Sequence, residues 1–279
     1  MIYKEAIALN QLDSDSKYED VSKAFGPFGS FSKVSYMVPK GTYLYRSRLQ
    51  DEPFEIVDRK DLSFHPNPEA VAIQRANRAG VQTFYGCTNF DFSNFDQKNA
   101  IQTAILEGSN MRRSRTPYDF EEYGYVSRWR TTKELKVISF LYYDFSKKMH
   151  PSLQAAKKIC ESYIIKTSAN KARDLEINQW LANIYAKEFD EADPNKYIIS
   201  SELSFRFLKN EHSGILYPSV QTEGMAVNIA LHKEAEESLE LEYVVEVRNY
   251  QRNSNTGIDS IRHIKTMKKE KIAGWIKVL

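Results

Sequence analysis

The sequence predicts an α+β fold, because strand-like runs at both ends of the chain enclose a helical middle. The runs lie before residue 146 and again after residue 213, with polar turns between them. In the middle, apolar residues recur at helical spacing from Pro151 to about Lys166 and from Ala172 to Phe189. Tyr, Phe and Trp make up 13% of the residues, and aromatic side chains favour strands.

The chain divides by pattern into an N-terminal extension, residues 1–41, and one domain over 42–279. Its 279 residues bury enough surface for a single large core. In the extension, one of the polar residues at 14–16 is expected to cap a short helix through Ala24, which GPFG at 26–29 ends.

Two short strands are expected early in the domain, TYLYRSRL at 42–49 and VQTFYG at 81–86. Side chains two residues apart on a strand share a face, so Arg46 and Arg48 should point the same way. A helix with a small, largely apolar face follows the second strand. That face carries Ala100, Thr103, Ala104 and Glu107.

The strand-like runs at 123–130 and 134–145 are predicted to form a hairpin through the TTK sequence between them. A further helix is expected over 197–208. Four more strand-like runs follow, at 214–220, 225–232, 239–250 and 272–279.

Charge and cysteine usage suggest an intracellular protein. The formal net charge is +2, so charge names no partner and makes nucleic acid an unlikely ligand. The first residues lack a signal peptide, and no later run has the length of a membrane helix. Cys87 and Cys160 are too few for a disulfide framework in a chain of this size. We therefore expect a reducing, cytoplasmic location and no membrane contact.

Several common kinds of site are missing from the sequence. The five histidines lie far apart without a nearby cysteine partner, so no metal site is expected. A P-loop, a dinucleotide-binding GxGxxG and a GxSxG elbow are also missing. What remains is a set of polar residues in unusual contexts: Arg46 in LYRSR, Arg75 in RANRAGVQTFYG, Glu107 in TAILEGS and Ser219 in GILYPSV.

These blocks, in this order, resemble the RES domain, a family named for an arginine, a glutamate and a serine. The resemblance covers separated blocks between residues 42 and 250. Its matching positions are Tyr45, Arg46, Arg75, Asn77, Gly80, Tyr85, Ala104, Glu107, Ser219 and Asn228. The chain departs from the family at Arg78, where the family often has proline, and at 88–99, which has the character of an insertion.

The resemblance implies an ADP-ribosyltransferase-like mixed sheet with inserted helices and an enzyme that consumes NAD. It also implies a bacterial toxin–antitoxin pair, in which a helix-turn-helix antitoxin protein plugs the pocket. The product would be ADP-ribose 1″-phosphate when inorganic phosphate attacks, and ADP-ribose when water does. Transfer of ADP-ribose to a macromolecule is a related outcome.

The chemistry of the matching residues agrees with NAD as substrate and requires no metal. The diphosphate needs permanently charged, planar donors, which Arg46 and Arg75 supply. Glu107 is the candidate to stabilise the ribosyl cation that forms as nicotinamide leaves. Tyr85 offers a ring for stacking, and Ser219 one orienting hydrogen bond. Two further substrate-binding candidates are Asn77 and Asn228.

Two other functions remain open from the sequence. Aromatic and arginine side chains on one sheet are also typical of a stacking platform for single-stranded nucleic acid, although the near-neutral charge argues against it. The other alternative is an interaction protein with an unreactive pocket, which the intact set of Arg75, Tyr85, Glu107 and Ser219 disfavours.

Overall fold

The computed structural model shows one mixed sheet with helices on both faces. The residues that it describes are 11–12, 16–26, 31–56, 58–65, 67–89, 97–110, 120–142, 151–187, 197–208, 211–222, 226–251 and 259–268.

Nine strands of the described residues form the sheet, in the order β1-β5-β6-β7-β3-β2-β4-β8-β9. Neighbouring strands are antiparallel except for the parallel pair β5 and β6. The strands are β1 (Ser35–Val38), β2 (Tyr43–Gln50), β3 (Thr83–Thr88), β4 (Phe120–Thr131), β5 (Leu135–Ser139), β6 (Gly214–Pro218), β7 (Val227–His232), β8 (Leu239–Gln251) and β9 (Asp259–Lys268).

The helices of the described residues lie mainly in the middle of the chain. They are α1 (Tyr18–Phe25), α2 (Gln97–Gly108), α3 (Pro151–Thr167), α4 (Lys171–Ala186) and α5 (Ile198–Phe207). Short 3-10 turns cover Arg59–Leu62, Pro68–Ala70 and Lys233–Ser238. The α+β class that the sequence predicts is thus confirmed.

The sheet has a weak seam between β2 and β3. Only one backbone pair, Tyr45 with Cys87, joins these strands, whereas eight residue pairs join β2 to β4. Side chains supply the other contacts across the seam: the Thr88 hydroxyl donates to the Tyr43 carbonyl oxygen at 3.0 Å, and Arg46 Nη1 donates to the Tyr85 carbonyl oxygen at 2.8 Å. The sheet therefore consists of two halves that meet loosely at the seam.

One face of the sheet carries the largest apolar cluster, because alternate strand residues point to the same side. This cluster includes Leu44, Phe84, Trp129 and Ile229, all buried, and helix α3 packs onto it. Phe84 meets Trp129 edge to face at a centroid distance of 5.6 Å. We call this the α3 face.

The opposite face has two separate apolar clusters. One contains side chains of α4 and α5 around Ile215 and Ala230, and the other contains side chains of α2 around Tyr45 and Val126. On β3, Tyr85 packs against the first cluster and Cys87 belongs to the second. The boundary between the two clusters therefore lies between two successive side chains of β3, and the polar site described below lies at this boundary.

The predicted hairpin at 123–145 is wrong, although strands are present at both places. β4 pairs with β2 and β8, whereas β5 pairs with β1 and β6 on the far side of the sheet. The chain turns away because the linking residues bond elsewhere. The Thr131 amide donates to the Thr42 carbonyl oxygen, and the Thr132 amide donates to that of Ser238, both at 2.9 Å.

Two strands were not predicted, β1 and β9, and both lie at the sheet edges. β1 comes from the segment that the sequence pattern assigns to the extension. Its last residue, Val38, and the preceding Val34 are buried in the α3-face cluster. The predicted strand at 272–279 lies outside the described residues. The helix in the extension exists as α1, with Lys17 at its N-cap and the Lys17 amide donating to the Asp20 carboxylate at 2.9 Å. Of the predicted capping residues, those at 14 and 15 lie outside the described residues.

Within the part of the chain that the structure describes, no helix is long and apolar enough to cross a membrane. Cys87 and Cys160 are both buried and free.

Candidate functional site

Helix α2 brings Glu107 to the sheet at its last turn. Ala100, Thr103 and Ala104 are buried beneath the helix, as the predicted helical face requires. The Ser47 hydroxyl of β2 donates to the Ala104 carbonyl oxygen at 2.5 Å. A Cβ atom on Gly108 would lie 2.0 Å from Ser47 Oγ and 3.2 Å from its Cβ, so a larger residue here would displace the Ser47 hydroxyl from its bond to Ala104. Together these contacts fix the end of the helix, and with it Glu107, against β2.

The half-buried carboxylate of Glu107 accepts two hydrogen bonds on one oxygen. The Ser219 hydroxyl donates to Oε1 at 2.5 Å, and the Asn228 amide donates to the same oxygen at 2.9 Å. Both donors are buried, Ser219 fully and Asn228 with 4% of its surface exposed. Among the described residues nothing donates to Oε2. One oxygen is thus held in place while the other stays uncommitted.

Strand pairing brings the neighbours of Glu107 to one place. Asn228 of β7 lies opposite Cys87 of β3 on one side and opposite Tyr217 of β6 on the other. The Cys87 thiol donates to Asn228 Oδ1 at 3.2 Å, which turns the amide nitrogen of Asn228 toward Glu107. Burial, helped by the nearby Glu107 carboxylate, raises the pKa of Cys87 well above its usual value. The thiol is therefore a hydrogen-bond donor here and not a nucleophile.

Arg46 lies at the seam next to Cys87, but its side chain lies on the α3 face, whereas Cys87 and Glu107 lie on the opposite face. Its guanidinium packs on the Phe84 ring, 5.3 Å from the centroid, and its Nη1 bonds the Tyr85 carbonyl oxygen. Burial, reinforced by the neighbouring charge of Arg48, lowers the pKa of Arg46 to about 9. The group is still a cation at neutral pH, in surroundings that favour an anion beside it.

Arg75 is committed to the end of a helix. Its Nη1 donates to the carbonyl oxygens of Tyr185 at 2.7 Å and Lys187 at 3.0 Å, and its guanidinium lies over the Tyr197 ring. A cation at the carboxyl end of α4 also interacts favourably with the helix dipole. The charges of Arg75 and Glu107 both influence the pKa of the buried Tyr217, in opposite directions.

Tyr85 and Asn77 hold a turn next to the site. The Tyr85 hydroxyl donates to Asn77 Oδ1 and accepts the Ala76 amide, both at 2.8 Å. The Asn77 amide group donates to two backbone carbonyl oxygens of the same turn. Gly80 closes the turn at a φ of 79°, a backbone conformation that favours glycine. The polar groups of Asn77 therefore serve the turn, and a contact of Asn77 with substrate stays a prediction.

The structure thus brings Glu107, Ser219 and Asn228 into direct contact, whereas Arg46 lies at the seam next to Cys87 with its side chain on the α3 face. Sequence reasoning missed Cys87 and Tyr217. The signal that would have found Cys87 is the two-residue period of strands, since Cys87 follows Tyr85 on the same face. Burial, with Tyr85 and Glu107 nearby, raises the pKa of Tyr217 well above its usual value, so its phenol stays neutral.

A second carboxylate, Glu122 on β4, has a donor set of the same kind. The Ser109 hydroxyl donates to Glu122 Oε2 at 2.5 Å, and the Asn249 amide donates to the same oxygen at 2.8 Å. All three side chains are buried, and Glu122 is only 1% exposed. This cluster links the end of α2 to β4 and β8.

The described residues contain no group of three or more His, Cys, Asp or Glu side chains able to hold a metal ion. Most of the insertion at 88–99 lies outside them, since placement is described only to residue 89 and again from 97. The polar groups around Glu107 are acceptors and donors suited to an organic ligand. A fixed carboxylate, a cation and two aromatic rings fit a molecule with a developing positive charge and an anionic portion.

No protein-family model matches this chain, and no curated protein matches it either.

Proposed function

We propose that the protein is an NAD-consuming enzyme that cleaves the bond between nicotinamide and ribose. The observation that carries this proposal is the Glu107 carboxylate, which the Ser219 hydroxyl and the Asn228 amide hold through one oxygen while the other has no donor among the described residues. A carboxylate oriented in this way can stabilise the positive charge of a ribosyl cation.

In the proposed reaction, the bond between ribose C1″ and the nicotinamide nitrogen breaks, and its electron pair leaves with nicotinamide. Positive charge develops on C1″ and the ring oxygen, and the Glu107 carboxylate stabilises it. An oxygen of inorganic phosphate or of water then attacks C1″. Phosphate gives ADP-ribose 1″-phosphate, whereas water gives ADP-ribose and releases a proton.

The donors on Oε1 act on Glu107 and not on the substrate in this proposal. Two hydrogen bonds to one carboxylate oxygen fix the rotation of the side chain and favour its charged form. The neutral phenols of Tyr85 and Tyr217 flank the same face and offer rings for the nicotinamide or the ribose.

The seam between the two half-sheets supports a more specific proposal about the fold. We propose an ADP-ribosyltransferase-like core, in which the substrate lies at the junction of the half-sheets, β1-β5-β6-β7-β3 and β2-β4-β8-β9. The site residues come from both sides of that junction: Arg46 from β2, and Cys87 and Asn228 from β3 and β7. Transfer of ADP-ribose to a macromolecule would use the same cation with another acceptor.

Nicotinamide release from NAD by the purified protein tests the proposal directly. The reaction is run with and without inorganic phosphate, and the products are identified by mass spectrometry. Glu107→Gln keeps the size of the side chain and removes its charge, so release should fall by about 100-fold or more. The matched control is Glu211→Gln, which changes an exposed carboxylate paired with Lys136. No release by the wild type, or equal release by Glu107→Gln, contradicts the proposal.

In a cell, we propose that this activity makes the protein the toxin of a bacterial toxin–antitoxin pair. Expression should lower NAD and arrest growth, and the Glu107→Gln variant should do neither. A cognate helix-turn-helix antitoxin should relieve the arrest. Normal growth with unchanged NAD would refute the toxin role and leave the reaction itself to the biochemical test.

A further inference from the structure

Two neighbouring arginines on β2, Arg46 and Arg48, lie on the α3 face of the sheet. They pair with Ser127 and Tyr125 of β4, and their side chains share a face because they are two residues apart. Both are half-buried. Burial is the main cause of the lowered pKa of Arg46, and the nearby charge of Arg48 is the second.

This pair of charges has no counter-ion within the described part of the chain. Neither guanidinium takes part in an ion pair there, and the carboxylate that most influences Arg48, that of Asp61, only partly offsets its burial. The Nε atoms of both arginines are buried and bond nothing. Two like charges kept close together, partly out of water, are unfavourable unless an anion joins them.

Each of the two guanidiniums also keeps one terminal nitrogen uncommitted. Arg46 uses Nη1 on the Tyr85 carbonyl oxygen, and Arg48 uses Nη2 on that of Ser63 at 3.2 Å. Arg46 Nη2 and Arg48 Nη1 donate to no described residue. These single anchoring bonds hold the two side chains in place while leaving donors for a ligand.

The arginines of the neighbouring strand show the contrast. Arg128 and Arg130 of β4 both form ion pairs with Glu242, and Arg130 also with Glu240. Uncompensated charge is therefore a property of the Arg46 and Arg48 pair and not of arginines on this sheet in general.

We propose that Arg46 and Arg48 together form a binding site for a diphosphate group, in which Arg48 takes the place expected for Arg75. The identification of that diphosphate as the one in NAD rests on the proposed function. The site itself rests on the two guanidiniums and their missing counter-ion. Planar guanidinium forks match the oxygens of a phosphate group in pairs.

Binding of inorganic pyrophosphate, measured by calorimetry, tests the site without any reaction. We expect Arg48→Gln to weaken pyrophosphate binding about tenfold, because one charge-assisted contact is lost. Arg48→Lys keeps the charge without the planar fork, so its affinity for pyrophosphate should lie between those of the wild type and of Arg48→Gln. The matched control is Arg130→Gln, which removes an arginine whose charge is already paired. It should bind pyrophosphate as the wild type does.

A thermal-unfolding measurement keeps the test valid if Arg48→Gln is less stable. Pyrophosphate should raise the Tm of the wild type and of Arg130→Gln, and raise that of Arg48→Gln and of Arg46→Lys by clearly less. Equal affinities for the wild type and Arg48→Gln would overturn the inference, as would no binding by the wild type at about 1 mM pyrophosphate.

The outcomes separate this inference from the proposed function. Pyrophosphate binding that depends on Arg48, without nicotinamide release, supports the site and refutes the reaction. Nicotinamide release with a KM for NAD that Arg48→Gln leaves unchanged supports the reaction and refutes the site. If both hold, Arg48→Gln raises KM about tenfold while kcat changes little, since Arg48 contacts the part of the substrate that does not react.

Discussion

Glu107 and Glu122 have donors of the same kind but different surroundings. In each case a serine hydroxyl and an asparagine amide bond one carboxylate oxygen, at 2.5 Å and 2.8–2.9 Å. Glu122 is 1% exposed and links α2 to two strands, whereas Glu107 is half-buried at the junction of two apolar clusters. The donor set orients a carboxylate in both places. Access to that carboxylate decides whether it stabilises the fold or is available to a substrate.

The largest effect expected from this comparison is on turnover. Glu107→Gln should lower kcat for nicotinamide release by about 100-fold to 1000-fold, because it removes the charge that stabilises the ribosyl cation. Its Tm should stay close to that of the wild type, since the amide keeps an oxygen for Ser219 and Asn228. Steady-state kinetics and thermal unfolding measure the two quantities. A large loss of Tm with little loss of kcat would make Glu107 a structural residue like Glu122.

The next effect is on stability. Glu122→Ala leaves the Ser109 hydroxyl and the Asn249 amide buried without their acceptor, which should lower the free energy of unfolding by about 3 kcal/mol. Urea unfolding measures the loss. Activity per folded molecule should be close to that of the wild type. Retained stability would show that water or a neighbouring group reaches this carboxylate.

The two asparagines give a smaller, matched pair of changes. Asn228→Ala removes one donor from Glu107 and should lower kcat about tenfold, whereas Asn249→Ala removes one donor from Glu122 and should lower the free energy of unfolding by about 1 kcal/mol. Kinetics and urea unfolding of both variants separate these outcomes. If Asn249→Ala is the variant that loses kcat, the assignment of the two clusters is reversed.

The smallest expected effect concerns the side-chain oxygen, Oδ1, of each asparagine. Asn228 Oδ1 accepts the Cys87 thiol, whereas Asn249 Oδ1 is buried and accepts no hydrogen bond from a described residue. Cys87→Ala makes the two asparagines alike and should lower kcat two- to threefold, because the amide of Asn228 is then less firmly oriented. In an Asn228→Ala background the same change should have no further effect. Additive losses in this double-mutant cycle would show that Cys87 acts independently of Asn228.

Much of the secondary structure could be predicted, because it depends on local periodicity. The alternation in TYLYRSRL and the apolar spacing of α3, α4 and α5 predict elements close to those observed. The small face of α2 is predicted for the same reason. The edge strands β1 and β9 were missed, because edge strands are short or polar and have little pattern of their own.

Pairing between distant strands could not be predicted in this way. The TTK linker suggested a hairpin, yet β4 and β5 are separated by four strands in the sheet. Local sequence does not encode which strand a residue such as Thr131 will pair with. The same limitation hid Cys87, which becomes a neighbour of Glu107 only because β3 and β7 pair.

The sequence by itself determined which residue types are available to the site, their order along the chain, and the face of α2 that presents Glu107. The tertiary structure decided that Ser219 and Asn228 bond the same oxygen of Glu107, that Arg75 caps a helix, and that no described residue forms an ion pair with Arg46 or Arg48. The physical reason is range. Periodicity follows from the backbone within a few residues, whereas contacts join residues as far apart as 180 positions, as in the bond from Arg59 to the Leu239 carbonyl oxygen.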